Sequence, residues 1–181
     1  MALHYKTRFW EHLESPIFGG CGFTDIPQFG SICYPSYAIN STGPGVLLAS
    51  YNFYGGAEAT TGLSESDHVA WAQRGVIEAH GPIAQDQFTG MYDRQCWATD
   101  EHSAGGWAAP LVGQQKLFLP AYFQTEFKTI FVGEHTSYTH AWIFSALDSS
   151  IRGTVQLLLD LGLVDEAKEI VNTWMARWIT V

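Results

Sequence analysis

Apolar residues recur at helical spacing along one long stretch. Ile143, Leu147, Ile151, Val155, Leu158 and Leu159 trace a single face, and Gly162 stands where a helix stop belongs. The spacing predicts a helix that begins near Ala141-Trp142-Ile143. Before it, Thr129-Ile130-Phe131-Val132 is a β-branched and aromatic run, the signature of a buried strand. Residues 133–140 between them are a polar loop. A helix N-terminus carries unpaired N–H groups and a partial positive charge, so it suits an anionic or electron-rich ligand. Here a large ring, Trp142, stands beside that end. Spacing alone is also met by a packed strand–helix unit that binds nothing.

The rest of the chain reads as short strands and two further helices. Leu3, Tyr5, Thr7 and Phe9 alternate and predict a strand over 2–9. Residues 22–35 are turn-rich, with strand candidates at Phe23 and at 31–34. Residues 46–54 are the clearest strand of the first half, ended by Gly55-Gly56. Ser64 to Asp67 is a capping pattern, after which Val69, Ala72, Val76 and Ile77 mark a helix to about His80, stopped by Gly81-Pro82. Residues 91–97 are a strand candidate and 104–110 a loop. Residues 113–122 hold a short helix interrupted at Pro120. Val164, Ala167, Val171, Trp174 and Trp178 trace a last stripe, with Asp165-Glu166 in the first turn and Arg177 in the last. The expected class is α+β.

Composition narrows the partners. The chain has 181 residues, 46% hydrophobic, with seven Trp and eleven Phe, enough for a sizeable core and for surface to bury against something else. The net charge of −9, without a basic run, argues against nucleic acid or an anionic membrane. Cys21, Cys33 and Cys96 are odd in number and lack C-x-x-C spacing, which predicts reduced, buried thiols. No apolar run approaches membrane-spanning length, and residues 1–20 lack the apolar core of an export signal, so a soluble chain of unassigned compartment is expected. His135 and His140 lie five apart in a loop without Cys or acidic partners at ligand spacing. They read as polar loop residues, and no metal site is expected.

Particular letters carry more than the spacing does. Gly133-Glu134-His135-Thr136-Ser137, His140-Ala141-Trp142-Ile143, Ser145-Ala146-Leu147 and Ile151-Arg152 resemble the C-terminal flavin-binding segment of flavin-dependent L-amino-acid oxidases, within the flavin amine oxidase family. Tyr5-Lys6-Thr7-Arg8-Phe9-Trp10-Glu11, Gly19-Gly20, Thr24-Asp25 and Tyr34-Pro35-Ser36 resemble its substrate-domain strands. Gly45-Val46-Leu47-Leu48-Ala49-Ser50-Tyr51 resembles the strand that ends in the tyrosine of the substrate carboxylate. Trp97, Asp100, Gly105-Gly106 and Gly113-Gln114 follow the pattern just upstream of the flavin segment. The resemblance runs to about Leu161.

The resemblance implies non-covalent FAD, contacted by Trp97, Gly133, Glu134, Ala141, Trp142, Ile143 and Ala146. It implies substrate contacts from Tyr51, Trp107, Ala141 and Trp142, with Tyr51 and Trp142 in the catalytic slot. Read as residues alone, Tyr51 is a half-buried strand tyrosine, with Tyr54 a weaker candidate, and Trp97 and Trp142 are core aromatics. Monoamine oxidases carry Ser-Gly-Gly-Cys where this chain has Ala104-Gly105-Gly106-Trp107, so it cannot make their thioether to FAD. The reaction implied is oxidation of an L-amino acid by O₂ to a 2-oxo acid, ammonia and H₂O₂.

No G-x-G-x-x-G fingerprint occurs. In the family that loop, the substrate arginine and the flavin-facing lysine lie upstream of the residues matched here. The expectation is therefore the C-terminal portion of a two-domain fold. Residues 1–128 would supply the substrate domain and the return to the FAD domain, 129–162 the last FAD-domain strand and helix, and 163–181 a terminal helix. The implied partner is an N-terminal FAD-binding portion or subunit, and the assembled enzyme is expected to be a homo-oligomer. An amine or polyamine oxidase, or a non-catalytic subunit that binds no flavin alone, are the alternatives.

Overall fold

The computed structural model describes residues 1–103 and 105–174. They fall into two compact units, Met1–Glu101 and His102–Val181. The architecture is mixed helix and sheet, as α+β requires.

The first unit is built on an antiparallel sheet of five strands. These are β1 (Ala2–Tyr5), β2 (Cys21–Phe23), β3 (Ser31–Cys33), β4 (Gly45–Tyr51) and β5 (Phe88–Asp93), in the order β2-β3-β4-β1-β5. Alternation fixes the faces: Leu3 and Tyr5 of β1 and Leu47 and Ala49 of β4 are buried. Phe9, Trp10 and Phe29 fill the same core. Helix α1 (Tyr54–Thr61) follows β4, so Gly55-Gly56 end no strand but lie inside a helix. The exposed Tyr54, at φ +48°, turns the chain into it. Helix α2 (Glu65–His80) carries the predicted cap, with Ser64 Oγ accepting from Asp67 N at 3.2 Å. It lays Ala72 and Val76 on the sheet core. Gly81, at φ +80°, stops it, and Pro82 then opens a further helix, α3 (Pro82–Gln87). The fifth strand starts and ends earlier than the sequence suggests. Trp97 leaves it for a 3₁₀ turn, Trp97–Thr99.

Two features of this unit were invisible to periodicity. Arg8 and Glu11 form a buried ion pair at 3.2 Å, and Glu11 also accepts the N–H of Asn40. Cys21 and Cys33 are Cα partners across β2–β3, 4.0 Å apart, and are joined by a disulfide. That corrects the expectation of reduced, buried thiols: Cys21 is exposed and only Cys96 is free. The flanking bonds run from Tyr34 N to the Gly20 carbonyl and from Thr24 N to that of Gly30. They leave the 21–33 pair at a non-hydrogen-bonded site, where strands approach most closely.

The second unit contains α4 (Gln114–Tyr122), α5 (Ile143–Asp160) and α6 (Val164–Thr173). Helix α4 runs through Pro120 for a last turn instead of breaking there. Gly162 lies at φ +76°, with its N–H on the Leu159 carbonyl and that of Leu163 on Leu158. This Schellman closure ends α5 as predicted. Helix α6 packs on α5. Of the last predicted stripe, Ala167 is buried and Trp174 exposed, and Arg177 and Trp178 lie outside the described residues.

Residues 129–132 are not a buried strand. Only Thr129 pairs, in an isolated bridge with Glu126, and Phe131 and Val132 are exposed. A strand needs a neighbour for its backbone groups, and this unit offers none among the described residues. Of the predicted apolar face of α5, Val155 is buried and Ile151 and Leu158 are half-buried. Ile143, Leu147 and Leu159 are exposed, whereas Ser145, Ser149, Arg152, Gly153 and Gln156 are buried with Val155. The inward polar stripe is stabilised by hydrogen bonds rather than by apolar area. Ser149 Oγ accepts from Gly133 N at 2.8 Å, and the Thr139 and Ser145 hydroxyls pair at 2.7 Å. Arg152 donates to the Phe131 carbonyl and to Thr136 Oγ1.

Candidate flavin-facing loop and helix start

The start of α5 has no side-chain cap. Its N-cap residue is Trp142, extended at φ −132°, and an indole cannot accept from the first helical N–H groups. Of the first N–H groups, that of Ser145 turns back to the Trp142 carbonyl at 3.0 Å, while those of Ile143 and Phe144 have no intrahelical acceptor and lie beside the exposed Trp142.

The approach to that end is fixed by Glu134. Gly133, at φ +130°, adopts a backbone that side chains disfavour, and a Cβ there would come 2.9 Å from the His135 ring. It feeds a 3₁₀ turn, Glu134–Thr136. The Glu134 carboxylate then accepts three bonds. Oε2 takes the N–H of Ala108 at 3.0 Å, and Oε1 takes the N–H of Ala141 at 2.8 Å and faces His140 Nδ1 at 3.2 Å. Ala141 sits at φ +64°, a left-handed step that costs an alanine of order 1 kcal/mol. Its bond to Glu134 offsets that cost and aims the chain into the helix. One carboxylate thus clasps the loop after Trp107 to the loop before Trp142. Sequence spacing missed this clasp because it joins residues 26 apart.

The predicted residues divide between the two units. Gly133, Glu134, Ala141, Trp142, Ile143 and Ala146 are brought together in the second, with Ala146 one turn inside α5. Trp107 lies in the same unit, half-exposed. Tyr51 and Trp97 belong to the first unit. Tyr51 closes β4 with its ring edge-on to Phe53, 4.9 Å between centroids. A bulge sets its direction. Leu48 pairs with Cys33 and Tyr51 with Ser31, so β4 has one residue more than β3 over that interval. Ser50 therefore turns inward, bonding the Phe29 carbonyl at 3.1 Å, and Tyr51 turns toward solvent.

The chemistry of these residues fits a flavin. An uncapped helix end favours negative charge, which a reduced flavin carries at its pyrimidine side, and an exposed indole beside it offers a flat apolar wall. Among the described residues no group of three or more His, Cys, Asp or Glu could hold a metal ion.

Residues 1–158 match the family described as flavin containing amine oxidoreductase. The chain belongs to that family. It is 56% identical, over its whole length, to an L-amino-acid oxidase of Neurospora crassa, of which it covers 27%. It is 33% identical to an L-amino-acid oxidase of Siganus canaliculatus over 89% of this chain and 31% of that protein. With an L-amino-acid oxidase of Mus musculus the identity is 32%, over 86% of this chain and 24% of the relative. The chain thus spans less than a third of the length of these relatives. Family membership makes it a flavoprotein oxidoreductase sequence. Among the described residues no helix is long and apolar enough to cross a membrane.

Proposed function

We propose that this chain is the C-terminal portion of an FAD-dependent oxidase that oxidatively deaminates L-amino acids to 2-oxo acids, ammonia and H₂O₂. The observation that carries the reading is the uncapped start of α5 beside exposed Trp142, held by the Glu134 clasp. The whole-length similarity to an L-amino-acid oxidase supports the same substrate class.

FAD, when bound, accepts the hydride from the amino-acid Cα. The protein's part is to bind, orient and exclude water. Gly133, Glu134, Ala141, Trp142, Ile143 and Ala146 line the flavin side, with Trp97 completing it. Trp107, Ala141 and Trp142 border the substrate, and the Tyr51 phenol donates to its carboxylate. Trp107 has no thiol, so FAD is held without a covalent bond. Residues 1–128 belong with the substrate domain and the return to the FAD domain, and 129–162 with the FAD domain. An N-terminal portion supplies the phosphate-binding glycine loop, and the assembled enzyme is a homo-oligomer.

The test joins this chain to an upstream portion bearing G-x-G-x-x-G, in one chain or by co-expression. The expected product absorbs near ~450 nm from bound flavin and releases H₂O₂ with L-amino acids. Turnover of amines but not amino acids would make it an amine oxidase. A colourless, inactive assembly would overturn the reading. The 181-residue chain alone is expected to lose FAD on gel filtration.

A further inference from the structure

The connection from β3 to β4 carries the tripeptide Asn40-Ser41-Thr42. It fits N-x-[ST] with a residue other than proline in the middle, the acceptor pattern for N-linked sugar. Three letters recur by chance, so the fold must agree with them. Asn40 and Thr42 are both exposed, and Asn40 ends a run, 36–40, that is exposed throughout. Asn40 lies at φ +61°, a left-handed step that asparagine tolerates better than most residues. The backbone here is pinned from within by the buried ion pair. Asn40 N donates to Glu11 Oε2 at 2.7 Å, and Arg8 donates to the Tyr37 carbonyl at 2.8 Å and to that of Ala38. The main chain is held from inside while the acceptor residue stays on the surface.

The Cys21–Cys33 disulfide speaks for the compartment. Cys21 is exposed, and the link lies just upstream of the tripeptide. A surface disulfide persists where the surroundings oxidise, as along the secretory route, and is rare where thiols are kept reduced. Sugar transfer to asparagine belongs to that same route. The sheet register adds room. Ser31 of β3 stands opposite Tyr51 of β4 and the strands are antiparallel, so the 34–44 connection enters β4 at Gly45, the end away from Tyr51. At about 3.3 Å per residue, the strand from Gly45 to Tyr51 spans roughly 20 Å. A group on Asn40 is therefore attached well away from Tyr51.

We propose that Asn40 is an N-glycosylation site, and that the parent protein matures in an oxidising secretory compartment. The donor is an oligosaccharide carried on a lipid diphosphate. Asn40 Nδ2 attacks the anomeric carbon of the first sugar. A C1–N bond forms, the C1–O bond to the diphosphate breaks, and Nδ2 gives up one hydrogen as a proton. The lipid diphosphate leaves with the bonding pair, and no oxidant or reductant enters. The Thr42 hydroxyl, two residues on, is the part of the pattern that the transferase reads. Residues 1–20 hold no export signal, so the targeting segment is assigned to the upstream portion proposed above. The site does not depend on the oxidase reading.

The test uses the full-length protein as its own cells make it. No Lys or Arg stands between Phe9 and Gln73, so trypsin releases residues 9–74 as one peptide that holds Cys21, Cys33 and Asn40. The unreduced digest is treated in H₂¹⁸O with the amidase that removes N-glycans. That enzyme hydrolyses a sugar-bearing asparagine to an aspartate carrying the isotope. Mass spectrometry is expected to find a sugar on the peptide before treatment, the ¹⁸O label at position 40 after it, and the two cysteines linked. In the same cells, Thr42→Ala is expected to lose the label and Thr42→Ser to keep it. An unmodified Asn40 in the native peptide would overturn the proposal, as would a label that survives Thr42→Ala. Free thiols at both cysteines would remove the oxidising compartment. The native peptide decides the matter even if a variant misfolds.

Discussion

Arg152, midway along α5, reaches back to the carbonyl of Phe131 at 2.8 Å and ties the helix to the extended segment before it. The same guanidinium holds Thr136 Oγ1 at 2.9 Å and Gln156 Oε1 at 2.6 Å, and lies 4.5 Å over the Phe123 ring. Only 4% of it is exposed.

Arg152→Met should destabilise the second unit by about 2–4 kcal/mol, because it leaves buried acceptors unpaired. Arg152→Lys should recover little, since one ammonium cannot fork to three acceptors around a flat ring. Urea unfolding followed by the fluorescence of the second unit's tryptophans measures both. A lysine variant as stable as the unsubstituted chain would show that charge alone suffices.

The Cys21–Cys33 link predicts one free thiol in the native chain, that of Cys96. Thiol titration in denaturant without reductant should find one group, and three after reduction. Closing a loop of this length is worth about 3 kcal/mol by loop entropy. Cys33→Ser should lower the unfolding free energy of the first unit accordingly, and added reductant should not lower it further.

His68 gives the first unit an acid limit. It is 5% exposed, and its Nδ1 has no partner. Burial foremost, then Arg94 and the amino terminus, push its pKa from 6.5 down to about 4. The unfolded chain therefore binds this proton first. The neutral ring's contribution is complete above pH 6.5 and is lost as pH falls toward 4. The loss should amount to about 2–3 kcal/mol. His68→Phe should flatten stability against pH by one proton over that window. An unchanged slope would place the titration elsewhere.

Trp142 separates function from folding. At 71% exposed, its loss should change the stability of this chain by no more than about 0.5 kcal/mol. In the assembled enzyme Trp142→Ala should lower kcat/KM, because one wall of the proposed slot is gone. A variant with full kcat/KM would remove Trp142 from the site.

Tyr51 tests the carboxylate. A charge-assisted hydrogen bond is worth roughly 1.5–3 kcal/mol, so Tyr51→Phe in the assembled enzyme should lower kcat/KM for L-amino acids by about 10- to 100-fold. A decarboxylated amine analogue should be affected far less. Equal losses on both substrates would mean that the ring acts by packing on Phe53, and Tyr54 would be tested next.

Local signals were legible in the sequence; pairings were not. Helix α2 follows from Ser64, Asp67 and an apolar period, all within one element, and Gly162 closes α5 for the same reason. The segment 129–132 has strand composition, but composition cannot supply the neighbour that a strand requires. On α5 the apolar period is real, yet most of the buried residues are polar. Ser149 and Arg152 find their acceptors at Gly133, Phe131 and Thr136, contacts outside any helical window. Cysteine counting failed at Cys21 and Cys33 because parity says nothing about the register of β2 on β3. The residues of the flavin segment were named by their letters. The Glu134–His140–Ala108 clasp that holds them was not, because it depends on three-dimensional proximity.

Gly153 gives the helix start a pivot. A Cβ at that position would come 2.3 Å from Val132 Cγ1, so α5 lies hard against the 130–132 segment at its midpoint. From Gly153 back to Ile143 is ten residues, about 15 Å of helix at 1.5 Å each. A side chain there forces Val132 or the helix to give way, and a helix tilt of roughly 4° over that lever arm displaces the far end by about 1 Å. Misplacement of that size in an active site costs on the order of 10²-fold in rate. The aim of Trp142 is therefore calibrated by an absent methyl group three turns away, and Gly153→Ala would act at a distance as a mis-set sight rather than as a broken part.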